Sequence, residues 1–189
     1  MSASATGNLG KWVVLALVGG VVSTLCDHLH ATSGVLYYPR PAFWSQAWWV
    51  LPLFFGATLV TVGTADLGRQ RLGLPAVAEP SWLELAGDLI AFVTAYVWTS
   101  YGHEQPTMLA VLMVGFWLAL MLRRPRWVWI VSLLSALFGS LFEASLSSVG
   151  GFYYHHPDFA GVPRWLPALY LYVGMLAVSL RAKLFPTPA

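Results

Sequence analysis

Charge is scarce in this chain: ten basic and eight acidic side chains among 189 residues leave 10% of positions charged and a formal net charge of +2. Soluble domains carry about 25% charged residues, so an ordinary soluble protein is excluded. The near balance of signs, with no basic run interleaved with aromatics, excludes a nucleic-acid binder. Cysteine occurs once, at Cys26, so no internal disulfide can form. Long polar stretches are missing too, which leaves no room for a separate soluble domain. No Gly-x-Ser-x-Gly and no phosphate-cradling glycine loop occurs, and the residues give no reason to name a catalytic group or a cofactor. Lys, Asn and Ile fill only five positions, Lys11, Lys183, Asn8, Ile90 and Ile130. Their codons are AT-rich, so this usage points to a GC-rich, bacterial genome.

What is abundant is apolar surface, at 58% of residues and a mean hydropathy of +0.66. A spanning helix needs about 20 mostly apolar residues. Six such runs are readable, at 11–27, 46–66, 82–102, 106–122, 127–147 and 165–181, each marked by charge or proline at its ends. They predict an all-α membrane protein, one domain of six transmembrane helices over 1–189. The first run is read as a retained helix, because Ser23, Thr24 and Leu25 before Cys26 do not form a small-residue cleavage site. Lys11, Arg69, Arg71, Arg123, Arg124, Arg126, Arg181 and Lys183 fall on one side of this map and only Arg40 and Arg164 on the other. That asymmetry predicts cytoplasmic N- and C-termini. Trp44, Trp48, Trp49, Trp82, Trp127, Trp129 and Trp165 lie near the expected span ends, where amphipathic rings are favoured. No internal repeat of the two-halves transporter type is expected.

Inside the fifth run, Ser132, Ala136, Ser140, Ala144 and Ser148 recur every fourth residue, beside a second row of Ser135, Gly139, Glu143 and Ser147. So small a face suits close helix packing; the sharper reading makes part of it a groove floor for a lipid. Glu143 lies on that face, and a carboxylate at membrane depth must be protonated, face the interior, or pair with a hydroxyl such as Ser147, Tyr153 or Tyr154. Asp66 and Asp88, at the depth of Arg69, Arg71 and Arg124, are expected to form interfacial ion pairs. All five histidines are expected in outer-side loops, with Asp27, His28 and His30 after the first run, His103 and Glu104 in a hairpin, and His155, His156 and Asp158 in the fifth loop. None has the spacing of a helical ligand pair, so no metal site is assigned.

Two segments carry a resemblance. Ser45, Ala47, Trp48, Trp49, Val50 and Pro52 open the second run and Asp66 closes it; Asp158, Phe159, Arg164, Trp165, Leu166, Pro167 and Gly174 mark the turn into the last. Both resemble the Insig (insulin-induced gene) family, in the same order and at similar distances, over the chain from about Trp44 to Lys183. The resemblance implies an Insig-like six-helix bundle with a core that binds a sterol, an oxysterol or a diacylglycerol-like lipid. It places the chain in a bacterial cell membrane, or in the endoplasmic reticulum if eukaryotic. The family's cytosolic aspartate, through which the sterol-sensing escort protein is engaged, is replaced here by Arg123; such a charge reversal argues against that partner. A homo-oligomer is a further expected partner.

The functional expectation is a non-enzymatic lipid sensor. Its ligand would lie against Ala136, Gly139, Ser140, Glu143 and Ser147, walled by Phe55, Tyr96, Trp98, Phe138 and Phe142, with its hydroxyl at Glu143, Ser140 or Ser147. The alternative is a membrane-embedded, metal-dependent lipid hydrolase built from the outer-side histidines and aspartates.

Overall fold

The computed structural model describes residues 3–186, with side chains from Asn8. Six helices follow one another: α1 (Ala3–Thr32), α2 (Val50–Arg71), α3 (Trp82–Gly102), α4 (Pro106–Met121), α5 (Arg126–Ser148) and α6 (Leu166–Leu184). Helix α3 starts where its cap dictates: the Glu84 amide donates to the Ser81 hydroxyl at 3.1 Å and the Ser81 amide donates to the Glu84 carboxylate at 2.7 Å. Proline opens α4, where the missing N–H costs no helical bond. By length and apolar composition Asn8–Thr32, α2 and α5 can each cross a membrane. Helix α4, with 16 residues, reaches only about 24 Å at 1.5 Å per residue.

Three expectations need correction. Helix α1 runs on past Asp27 to Thr32, so Asp27 and His30 are helical and buried, at 7% and 2% exposure, instead of lying in a wet loop. Helix α2 begins at Val50 and not at Gln46, because Trp44 and Ser45 turn the chain with φ of 49° and 59°. The all-α reading also misses a short antiparallel ladder between β1 (Leu36–Tyr37) and β2 (Tyr153–Tyr154).

A fourth departure is larger, because the chain does contain a repeat, with an offset of 116 positions. Gly34, Tyr37, Tyr38, Pro41, Phe43 and Trp49 recur as Gly150, Tyr153, Tyr154, Pro157, Phe159 and Trp165. The backbone repeats with them. Helices α1 and α5 end at equivalent residues, Thr32 and Ser148, and each is followed by a left-handed glycine, Gly34 (φ 78°) and Gly150 (φ 79°). Beyond each glycine an amide returns to the helix, Val35 to the His30 carbonyl at 3.0 Å and Gly151 to the Leu146 carbonyl at 2.9 Å. The same bridge closes each loop, Phe43 with Gln46 and Phe159 with Val162, before α2 and α6 start at Val50 and Leu166. Tyr37 pairs with Tyr153, its own equivalent, as expected where two copies of one unit meet about a two-fold axis. The units run in the same direction, unlike the inverted halves of many transporters.

Helix α6 is the centre, with 12 of its 19 residues buried; it packs against α5 most extensively, then α3, α2 and α4, while α1 packs on α2. The α5–α6 crossing is close because Gly174 lies on Ser132: a Cβ at 174 would come within 2.6 Å of the Ser132 Cα. So the Ser132, Ala136 and Ser140 row of α5 is a packing face under α6. At the end of the bundle that carries the termini, Arg124 donates to both oxygens of Asp88 at 2.8 and 2.7 Å and the Ser179 hydroxyl donates to Asp88 at 2.6 Å, joining α3 and α6 to the loop before α5. There too Asp66 lies 3.2 Å from Arg69 and 2.9 Å from Arg181, which ties α2 to α6. These are the expected ion pairs, with Arg181 in place of Arg71.

Candidate functional site

Helices α2 and α5 share no packed face, and a cavity of about 1200 Å³ fills the space between them. Val18 and Val22 of α1, Leu53, Phe54 and Ala57 of α2, Leu89 and Phe92 of α3, Leu134, Phe138 and Phe142 of α5, and Val173 and Leu176 of α6 wall it. Polar groups gather at its ends. Arg69 and Lys183 stand at the end near the termini, already engaged by Asp66 and by Glu79 at 2.8 Å, with the Lys183 ammonium 4.4 Å from the Trp82 ring centre. Asp27, Tyr38, Tyr96, Glu143 and Tyr170 stand at the end under the β1–β2 ladder.

The geometry of that end follows from the repeat. Asp27 and Glu143 are equivalent residues, and so are Tyr38 and Tyr154, which donate their hydroxyls to them. Tyr38 reaches Asp27 Oδ2 at 2.7 Å. Burial and the adjacent Asp27 carboxyl push the Tyr38 phenol well above its ordinary range, so it stays a donor. The second donors differ. Gln46, fully buried in the loop, gives its amide to Asp27 Oδ2 at 2.6 Å and to the Thr24 carbonyl at 3.0 Å. Tyr170 of α6 gives its hydroxyl to Glu143 Oε1 at 2.5 Å.

The structure divides the expected lipid residues. Gly139, Glu143, Tyr96, Phe138 and Phe142 line the cavity; Ala136, Ser140, Ser147, Trp98 and Phe55 do not. Ala136 and Ser140 are buried in the packing row. Ser147 donates at 3.4 Å to the Gly161 carbonyl, Trp98 packs on Phe116 of α4 with ring centres 5.9 Å apart, and Phe55 covers Gly20 of α1. Phe54, its neighbour, lines the cavity instead. Of the hydroxyls expected beside Glu143, only Tyr154 arrives. The residues missed are Asp27, Tyr38, Gln46 and Tyr170; the 116-residue repeat, which makes Asp27 the counterpart of Glu143, is the signal that could have found the first two.

The remaining outer-side candidates have local partners. His28 bonds the Trp44 carbonyl at 2.7 Å, His30 the Thr99 hydroxyl at 2.7 Å, and His103 the Ser100 carbonyl at 3.0 Å while stacking on His156. Among the described residues no three His, Cys, Asp or Glu side chains converge as metal ligands. Asp158 accepts from the Arg164 side chain at 2.8 Å and from its backbone at 2.8 Å. The Arg164 guanidinium bond, then its amide, hold the carboxyl below its ordinary value. Arg164 also reaches Thr107, which fastens this turn to α4. Of the motif residues, Trp49 and Pro52 face the cavity, Trp165 is buried at 1% exposure, and Trp48 and Phe159 are exposed at 69% and 55%. Pro167 sits in the first turn of α6.

No family model matches the chain. It is 31% identical over 188 residues to the INSIG protein homolog of Mycolicibacterium vanbaalenii, covering 91% of this chain and 85% of that protein. It is 26% identical over 183 residues to the insulin-induced gene 1 protein of Danio rerio, covering 92% of this chain and 72% of that protein. The crystal structure of the mycobacterial Insig homologue MvINS matches with a TM-score of 0.81 at 25% identity, covering 95% of this chain and 97% of that one. A cross-linked trimer of MvINS matches over the same shares of the two chains with a TM-score of 0.80. Sequence, six-helix architecture and apolar helices therefore agree: this chain is an integral membrane protein that belongs to the Insig family.

Proposed function

We propose that this protein binds a single-headed membrane lipid, a sterol, oxysterol or diacylglycerol-like molecule, in the cavity between α2 and α5, and acts as a non-enzymatic lipid sensor. The observation that carries this reading is the cavity itself: about 1200 Å³ of mostly apolar wall, with its carboxylates, phenols and cations at its ends and only small hydroxyls such as Thr58, Thr61 and Ser135 between them, the character of a site that holds its ligand by shape and orients it by a few hydrogen bonds. Nothing favours the hydrolase alternative, since His28, His30 and His103 have local partners. The mycobacterial relative and the GC-rich composition support a bacterial cell membrane. The trimer of MvINS supports a homo-oligomer. Arg123, which is exposed, supports the absence of escort-protein engagement.

Gly56 gives the cleanest test. It lines the cavity, and a Cβ there meets nothing within 4 Å. Gly56→Leu is expected to fill the space without disturbing the fold and to abolish the lipid that mass spectrometry detects after purification in mild detergent. Full retention of the same lipid by the variant would place the site elsewhere. Gly139→Leu is a poorer probe, because its Cβ collides with the Tyr170 ring and so disturbs the Glu143 bond as well.

A further inference from the structure

The repeat makes the two carboxylates comparable atom by atom, and one of them is left incomplete. Glu143 has a donor on each oxygen, Tyr154 on Oε2 and Tyr170 on Oε1. Asp27 has both of its donors, Tyr38 and Gln46, on Oδ2, and among the described residues none reaches Oδ1. The cause lies at the position equivalent to Tyr170: there α2 carries Phe54, which lines the same cavity but has no hydroxyl. Asp27 is only 7% exposed and borders the cavity, so an acceptor is left open in an apolar chamber, where an unpaired polar group is costly. Tyr96, also 7% exposed and on the cavity wall, has no described partner for its hydroxyl. Among the described residues, the only cationic groups on the cavity wall, Arg69 and Lys183, stand at the opposite end.

We propose that Asp27 Oδ1 is the headgroup anchor of the cavity, receiving a hydrogen bond from a lipid whose head is a donor without negative charge, and that anionic lipids are rejected there. This rests on the cavity being the lipid site, and it moves the anchor from Glu143, whose oxygens are satisfied within the protein, to its repeat partner. Lipid hydroxyls and lipid amines share the required chemistry. A fatty-acid carboxylate does not: it offers only acceptors to an acceptor and adds like charge, which repels at close range.

Three probes with one identical tail isolate the head: oleyl alcohol, oleylamine and oleate, titrated into the purified detergent-solubilised protein and followed by tryptophan fluorescence, Trp49 being on the cavity wall. The alcohol, the amine or both are expected to bind at least about tenfold more tightly than oleate, the scale of one charge-assisted or neutral hydrogen bond; which of them wins identifies the head. Asp27→Asn can keep its carbonyl under Tyr38 and Gln46 while turning an N–H₂ donor to the cavity. It is expected to narrow the preference over oleate to about threefold or less, or to reverse it, on the same hydrogen-bond scale, with an unchanged melting temperature. Glu143→Gln is expected to leave the preference as it is. Equal binding of all three probes by the unaltered protein, or a preference that survives Asp27→Asn, overturns the anchor and leaves the cavity reading standing. Failure of every probe to bind overturns both.

Discussion

At the scale of single residues, burial decides which polar groups matter. Glu143 sits among apolar side chains only because two phenols donate to it. Glu143→Ala would strand the Tyr154 and Tyr170 hydroxyls, each at about 1–3 kcal/mol. We expect a loss of about 2–4 kcal/mol of stability in thermal or denaturant unfolding, and a smaller loss for Glu143→Gln, which keeps an acceptor. Asp158 is the contrasting surface case. Its folded-state value is depressed by Arg164, so its contribution is present above the unfolded value of 3.8 and disappears as pH falls through the lower, folded one. Exchange protection of the Val162 amide, which closes the turn onto Phe159, should therefore be constant from neutral pH down to about that value and decline only below it, after correction for intrinsic rates. An earlier decline would show that Asp158 does not hold the turn.

At the scale of elements, small residues set how closely helices approach. Gly174→Ala places a methyl group 2.6 Å from the Ser132 Cα and 2.8 Å from the Ser135 hydroxyl. Both belong to a helix that cannot yield locally, so α5 and α6 must separate. The expected cost is about 1–3 kcal/mol, the usual range for overpacking. Gly115→Ala on α4 is the control: nothing lies within 4 Å of the added carbon, and removing a helical glycine should gain about 0.5–1 kcal/mol. If both variants melt alike, the α5–α6 contact is looser than the structure shows. The same crossing explains the split of the α5 face, because α6 covers the Ser132 row and leaves the Ser135, Gly139 and Glu143 edge beside the cavity.

At the scale of the whole molecule, two like-directed units, α1–β1–α2 and α5–β2–α6, meet at the Tyr37–Tyr153 pair and leave their two carboxylates at one end of a shared cavity. Orientation in the membrane is a separate matter, resting on the excess of basic residues at the end with the termini. His156 is exposed in the fifth loop, and the single native thiol, Cys26, is buried. An impermeant maleimide applied from outside is therefore expected to label His156→Cys in intact cells and to leave the unaltered protein unlabelled. Labelling only from the cytoplasmic face would invert the orientation.

Long apolar runs and boundary charges are properties of contiguous segments, and they determined the six helices, down to the shared bounds of the third run and α3 at 82–102, while the family was legible in two short motif segments, around Trp48–Trp49 and Asp158–Trp165. The Asp66 and Asp88 ion pairs were legible too, because charge at a span end has few choices. The repeat was equally present in the sequence, but the six identities that mark it most clearly at a fixed offset lie between helices, where no hydrophobic period draws attention to them. Which face of α5 meets α6, which of Phe54 and Phe55 looks into the cavity, and which carboxylate oxygen lacks a donor were decided only by tertiary structure. Each depends on side-chain direction across contacts between elements distant in sequence, such as Glu143 with Tyr170 of α6, and packing of that kind leaves no local pattern to read.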